Sequence, residues 1–151
     1  MNPLPASDQH KYLCYTNLLL VISILYFLCN IKHLKTNKII ESVLAFFLVV
    51  TIILSQRFWT NPIKGSLVHR IDAMNAKVVI LSCSLYTLIY KFSFQFCFIL
   101  CLIVASAYFS NYYSMQEWCC NRHLCCHGLM HIFCFFALFY TFSPIRETVT
   151  S

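Results

Sequence analysis

Glycine and proline are scarce in this chain, which has two glycines and four prolines among 151 residues. This scarcity argues against low-complexity disorder and against a loop-rich secreted module. Charge is scarce as well, because 11% of the residues are charged, whereas soluble proteins have about 25%. The composition therefore excludes an ordinary soluble domain.

Apolar residues are abundant, at 60% of the chain, and they fall into long runs. A run of about twenty apolar residues is long enough to cross a bilayer as a helix. The first run is followed by lysines rather than by a small-residue cleavage site, so we interpret it as a signal anchor. We predict an all-α, polytopic membrane helix bundle, a single transmembrane domain over residues 1–151. Its five helices are expected near 12–31, 39–55, 67–90, 92–109 and 123–142.

The eleven Lys and Arg residues outnumber the five Asp and Glu residues. They are scattered between the apolar runs rather than gathered in one basic stripe, which argues against a nucleic-acid partner. We interpret them as loop charges of an integral, multi-pass membrane protein. Apart from Lys77, which lies within the third span, five lie on each side of the membrane, so the positive-inside rule predicts no orientation. Five spans would place the two termini on opposite sides.

Ten cysteines are present. We expect six of them to pack as small apolar residues, because they lie within apolar runs; these are Cys14, Cys29, Cys83, Cys97, Cys101 and Cys134. The other four lie where a loop meets the fifth span, and they could bind metal, carry palmitate or pack; these are Cys119, Cys120, Cys125 and Cys126. The spacing of a zinc knuckle is missing, which favours palmitoylation or packing.

The fifth span carries His123, His127 and His131, spaced by four residues. On a helix these imidazoles form one stripe. Imidazoles are costly in lipid, so the stripe should face protein, water or a metal. Simple hydrogen bonding to neighbouring helices is the plainer alternative. We expect Gly128 to ease the approach of the third span to the fifth.

The third span enters from the same side of the membrane and carries His69 and Asp72, which share a helix face. We predict that His69, His127 and His131 meet within metal-binding reach, with His123 outside this group at the rim. Three imidazoles with an open position for water form a zinc ligand set. Asp72 would be a ligand, a partner of a ligand or a proton acceptor, although it could also cap the third helix.

Three further polar residues have local interpretations. Ser66 suits the N-cap of the third helix. Lys77 could snorkel to the surface or pair with a carboxylate such as Asp72, although five residues place the two about 140° apart around the helix. Glu41 is expected to be solvated at a helix start, in preference to being buried with a partner. Asp72 is therefore the acidic residue that we expect to be most sensitive.

Together, Ser66, His69, Asp72 and the HxxxH motif of His127 and His131 resemble the signature of the CREST superfamily of membrane hydrolases. That superfamily includes the alkaline ceramidases and the progestin and adiponectin receptor family. The resemblance implies a zinc-dependent hydrolase of lipid amides or esters. The three histidines would hold zinc, and Ser66 and Asp72 would assist around the bound water. The chain departs from the family in having fewer spans and in placing Asp72 closer to the first histidine.

The alternative function is a non-enzymatic structural or assembly protein whose histidines hydrogen-bond between helices. Such bonds average only about 0.6 kcal/mol but add specificity. Haem ligation by paired histidines is a weaker hypothesis, and a pore is not favoured because no helix has a continuous polar stripe. Whether the protein is an enzyme is left open by the sequence, and the metal content of the purified protein would best separate these hypotheses.

Overall fold

A computed structural model describes residues 8–32 and 37–144, and helices are the regular structure of this part. A short 3-10 helix, Asp8–Lys11, leads into five α-helices. These are α1 (Tyr12–Asn30), α2 (Lys38–Thr60), α3 (Leu67–Tyr90), α4 (Phe94–Gln116) and α5 (Asn121–Phe142). Each is long and apolar enough to cross a membrane. Large apolar side chains such as Ile39 and Phe94 point outward, as lipid contact requires. The prediction of an all-α bundle with five candidate spans is confirmed.

The bounds of α3 match the prediction, whereas α2 and α4 continue well past their predicted ends at 55 and 109. Hydropathy falls there because polar and interfacial residues appear, yet several of these residues are buried against other helices. Phe58 and Trp59 are buried on α2, and Ser110 and Ser114 are buried on α4. The predicted ends of α2 and α4 are therefore wrong, and the loops that follow them begin later than 56 and 110.

Helices α3 and α5 begin with the same local motif. Ser66 Oγ accepts the His69 N–H at 3.2 Å, and Cys120 Sγ accepts the His123 N–H at 3.4 Å. Each histidine reaches back in turn, because its Nδ1 accepts the backbone N–H of the residue before the cap. This reciprocal bonding resembles a capping box with histidine in place of glutamate, except that the histidine bonds the residue before the cap and not the cap itself. The residues before the caps, Gly65 and Cys119, both have positive φ, at 78° and 59°.

Helix α5 is the centre of the bundle. It packs against α4 and α1, while α1 packs on α2 and α2 packs on α3. Helix α3 also touches α5, but α3 and α4 have at most isolated contacts, although they are consecutive in the chain. The helices thus form an arc whose two edges are α3 and α4. A cavity lies inside this arc.

The carboxyl ends of α3 and α5 meet the start of α2 at what we call the Glu41 end. Glu41 is 1% exposed, so the expectation that it is solvated is wrong. Its Oε1 accepts the Tyr86 hydroxyl at 2.5 Å and lies 2.6 Å from Lys91 Nζ. Lys91 Nζ also donates to the Thr141 and Ser143 carbonyl oxygens at 2.5 and 2.6 Å. A single lysine therefore ties three helix ends together.

Candidate functional site

The cavity inside the arc has a volume of about 260 Å³ and takes lining residues from all five helices. Its walls are mainly apolar. Polar side chains gather where α3 and α5 begin, which we call the histidine end. The polar residues there include Asn17, His69, Asp72, His123, His127 and His131. This arrangement of a long apolar pocket with convergent polar groups at one end is typical of a ligand site.

Two histidines of α5 bond to hydroxyls of neighbouring helices. His127 Nδ1 lies 3.2 Å from Ser110 Oγ on α4, and His131 Nδ1 lies 3.0 Å from Thr16 Oγ1 on α1. The two rings are 4.9 Å apart between centroids and nearly perpendicular. Each ring is thus oriented through Nδ1, which leaves Nε2 as the nitrogen available to a ligand.

The hydrogen bonds of Thr16 favour one tautomer of His131. The Thr16 hydroxyl donates its proton to the Leu13 carbonyl oxygen at 3.1 Å, so it can only accept from His131. His131 Nδ1 therefore carries the ring proton, and Nε2 has a bare lone pair. The Ser110 hydroxyl has no second hydrogen bond among the described residues, so it can donate to or accept from His127 and is compatible with either tautomer of that ring.

His69 and His123 have the opposite tautomer. Each Nδ1 accepts a backbone N–H, at 2.9 Å for His69 and 3.2 Å for His123, so the ring proton of the neutral imidazole lies on Nε2. The Trp118 indole lies next to both rings, with centroids 5.4 Å from His69 and 4.9 Å from His123. His69 also stacks on Phe58 at 4.8 Å. These two imidazoles can act as hydrogen-bond donors, but they lack a free lone pair for a metal.

The Asp72 carboxyl is buried in the cavity wall without a protein partner. The residue is 8% exposed, and its Oδ1 makes no hydrogen bond among the described residues. Two other lining residues, Asn17 and Trp59, also have a buried polar atom without a partner. Buried polar groups are nearly always bonded, and unsatisfied ones call for an explanation such as a ligand or water.

The predicted site residues fall into two groups. His69, Asp72, His127 and His131 line the same cavity, whereas Ser66 is the N-cap of α3 and is absent from the lining. The expectation that His123 lies outside the group is wrong, because its ring lines the cavity 6.1 Å from His127. Among residues 8–32 and 37–144, no three His, Cys, Asp or Glu side chains are placed to hold a metal ion. The zinc site thus stays a prediction.

The structure also shows the surroundings of Gly128 and of the cysteines. Gly128 faces Tyr12 on α1 rather than α3. Of the four cysteines near α5, Cys119 is buried and Cys125 is exposed, while the other two are half-buried and Cys120 caps the helix. Cys29 and Cys101 are exposed on the outside of the bundle, so their predicted packing role is wrong.

Several other residues belong to this site and have little or no signal in the sequence. Asn17 is fully buried and its amide donates to the Ile52 carbonyl oxygen at 2.9 Å. Its signal was an amide in a mainly apolar span. Thr16 and Ser110 orient the α5 histidines, but a hydroxyl within a helix satisfies itself so often that it gives no signal.

Comparison of the chain with protein-family models, with curated proteins and with solved structures gives no match. The resemblance to the CREST signature therefore rests on the five motif residues alone. The geometry of the cavity has to carry any functional argument.

Proposed function

We propose that this protein is a membrane-embedded hydrolase of lipid amides or esters whose reaction takes place at the histidine end of the cavity. One observation carries the proposal: an unpartnered buried carboxyl, Asp72, lines the same cavity as four imidazoles. Intramembrane ionisable groups are rare and mark functional sites by default. The apolar remainder of the cavity supplies space for a hydrocarbon chain.

The side chains suit hydrolysis by general acid–base catalysis. Asp72, as a carboxylate, accepts a proton from a water molecule whose oxygen attacks the carbonyl carbon of the lipid. The Nε2–H groups of His69 and His123 are donors for the oxyanion that develops on the carbonyl oxygen. Breaking the C–N or C–O bond then returns the proton to the departing amine or alcohol. Atoms and charge balance without any further reactant.

A divalent metal would find two nitrogen donors here. His131 has a bare Nε2, and His127 reaches the same state when its Nδ1–H donates to Ser110. Zinc held by these two residues would acidify a bound water. His69, the third predicted ligand, has its lone pair occupied by the Gly65 N–H. No step above depends on the metal.

The test is hydrolysis of long-chain amides and esters by the protein purified in a neutral detergent, together with its metal content. We expect Asp72→Asn to lower the rate by about 100-fold or more, as loss of a general base does. Asn121→Ala, on the exposed first turn of α5, is the matched control. Turnover by Asp72→Asn equal to that of the unaltered protein would sink the proposal.

The alternative, a structural bundle, is favoured by the two interhelical bonds of His127 and His131. In that case the purified protein would have neither bound metal nor hydrolytic activity. His127→Ala and His131→Ala would then lower thermal stability and change nothing else.

A further inference from the structure

Lys77 lies near the middle of a candidate membrane span. It is ten residues after Leu67 in a helix of 24 residues, which places it about 15 Å along the axis. A lysine stem can lead its ammonium group toward the surface, but the stem spans less than half of that distance. Snorkelling alone therefore leaves the charge inside the hydrocarbon layer.

Lys77 has no protein partner to offset its charge. Among the residues that the structure describes, it makes neither a hydrogen bond nor an ion pair. The Lys91 ammonium, by contrast, has three oxygen partners at the Glu41 end. A lone cation at this depth is costly unless something else pairs with it.

Lys77 lines the same cavity as Asp72, yet the two do not pair. Five residues separate them by about 7.5 Å along the helix and by about 140° around it. The buried Asp72 Oδ1 has no partner either. An unpaired ammonium group and an unpaired carboxyl group thus line one cavity, and a bound molecule can fill the distance between them.

The shape of the cavity limits that molecule. Its lining on α4 runs from Phe96 to Ser114, a distance of about 27 Å along the helix. A volume of about 260 Å³ over this length makes the cavity narrow. Such a space leaves no room for two hydrocarbon chains side by side, and its entry from the bilayer would lie between α3 and α4, which have few contacts.

We propose that the cavity binds a single-chain amphiphile with an anionic group, a carboxylate or a phosphate, and that Lys77 pairs with that group. This inference names the class of lipid on which the proposed hydrolase would act, and in that respect it rests on the proposed function. Binding of the lipid can be measured without turnover. Lys77 is then a specificity residue, which selects an acid over a neutral lipid of equal chain length.

The experiment compares three probes of equal chain length: palmitate, hexadecyl phosphate and the neutral hexadecanol. Each is titrated into the full chain in a neutral detergent, and bound probe is counted by native mass spectrometry. We expect at least one acid to bind about ten-fold or more tightly than hexadecanol, and the tighter acid identifies the headgroup. Lys77→Met and Lys77→Gln should abolish this preference, and Lys77→Arg should retain it.

Arg70→Met is the matched control, because Arg70 lies two turns earlier on the same face of α3 but outside the cavity lining. It should leave the preference unchanged. Equal binding of all three probes, or an acid preference that survives in folded Lys77→Met, would overturn the inference. Acid preference without hydrolysis would overturn only the proposed reaction, whereas Asp72-dependent hydrolysis without acid preference would overturn only this inference.

Discussion

At the Glu41 end, a buried carboxylate accepts hydrogen bonds from a lysine and a tyrosine, whereas at the histidine end the Asp72 carboxyl has no hydrogen-bond partner among the described residues. Both ends are polar and both contain a buried acid. The difference lies in the hydrogen-bond partners that surround each acid. At the Glu41 end, Glu41 Oε1 pairs with Lys91 and the helices are held together, although Glu41 Oε2 has no partner among the described residues. At the histidine end, neither an ion pair nor a hydrogen bond to Asp72 is found among the described residues, which leaves its carboxyl available to a ligand.

The largest effect should follow from breaking the ion pair at the Glu41 end. We expect Lys91→Met to lower the free energy of unfolding by about 3–5 kcal/mol, because it leaves the Glu41 charge buried and unpaired. Unfolding in mixed detergent micelles measures this. The double variant Glu41→Gln with Lys91→Met should recover most of the loss, and a double variant as unstable as the single one would contradict the pairing.

A smaller effect should follow from overfilling the contact between α1 and α5. A Cβ on Gly128 would lie 2.9 Å from Tyr12 Cε2, so the tyrosine ring has to move. Gly128→Ala should therefore cost about 1–2 kcal/mol of unfolding free energy. The control is Leu129→Ala, on the exposed side of the same helix turn. Equal stability of Gly128→Ala and the unaltered protein would show that Tyr12 gives way freely.

Asp72 should behave in the opposite way to Lys91. Asp72→Asn removes a buried carboxyl that has no partner among residues 8–32 and 37–144, so the free energy of unfolding should change by less than about 1 kcal/mol or rise. Hydrolysis should fall nonetheless. The same unfolding assay applies, and a loss comparable to that of Lys91→Met would mean that Asp72 has a structural role like that of Glu41.

The smallest effect concerns two thiols beside the histidine end and leaves stability unchanged. Burial, reinforced by the neighbouring Cys120, raises the pKa of Cys119 to about 11 from an ordinary value of 9.0. Cys119 is thus a neutral thiol at pH 7, and its reactivity should keep rising up to pH 11 as the thiolate forms. In single-cysteine variants, maleimide should label Cys119 far more slowly than the exposed Cys125. Equal labelling rates at pH 7 would show that the loop opens.

The sequence predicts where the helices of this protein lie better than it predicts which residues of different helices contact one another. Ser66 marks the start of α3 because an N-cap is a local signal. The pairing of Glu41 with Lys91 joins residues far apart in the chain, and each of them alone looks like an ordinary charge beside a membrane span. The position of His123 was missed for a similar reason, since Trp118 and the capping motif draw a rim residue into the cavity.

The central position of α5 has a consequence for how the protein is made. The other four helices precede it in the chain, and α4 has its main packing partner in α5 alone. During synthesis α4 would therefore enter the bilayer with no partner to bury its inner face. The Thr141 and Ser143 carbonyl oxygens that bind Lys91 are also synthesised after Lys91. Biogenesis should thus require that the earlier helices stay near the translocon until α5 emerges and packs against α4, α1 and α3.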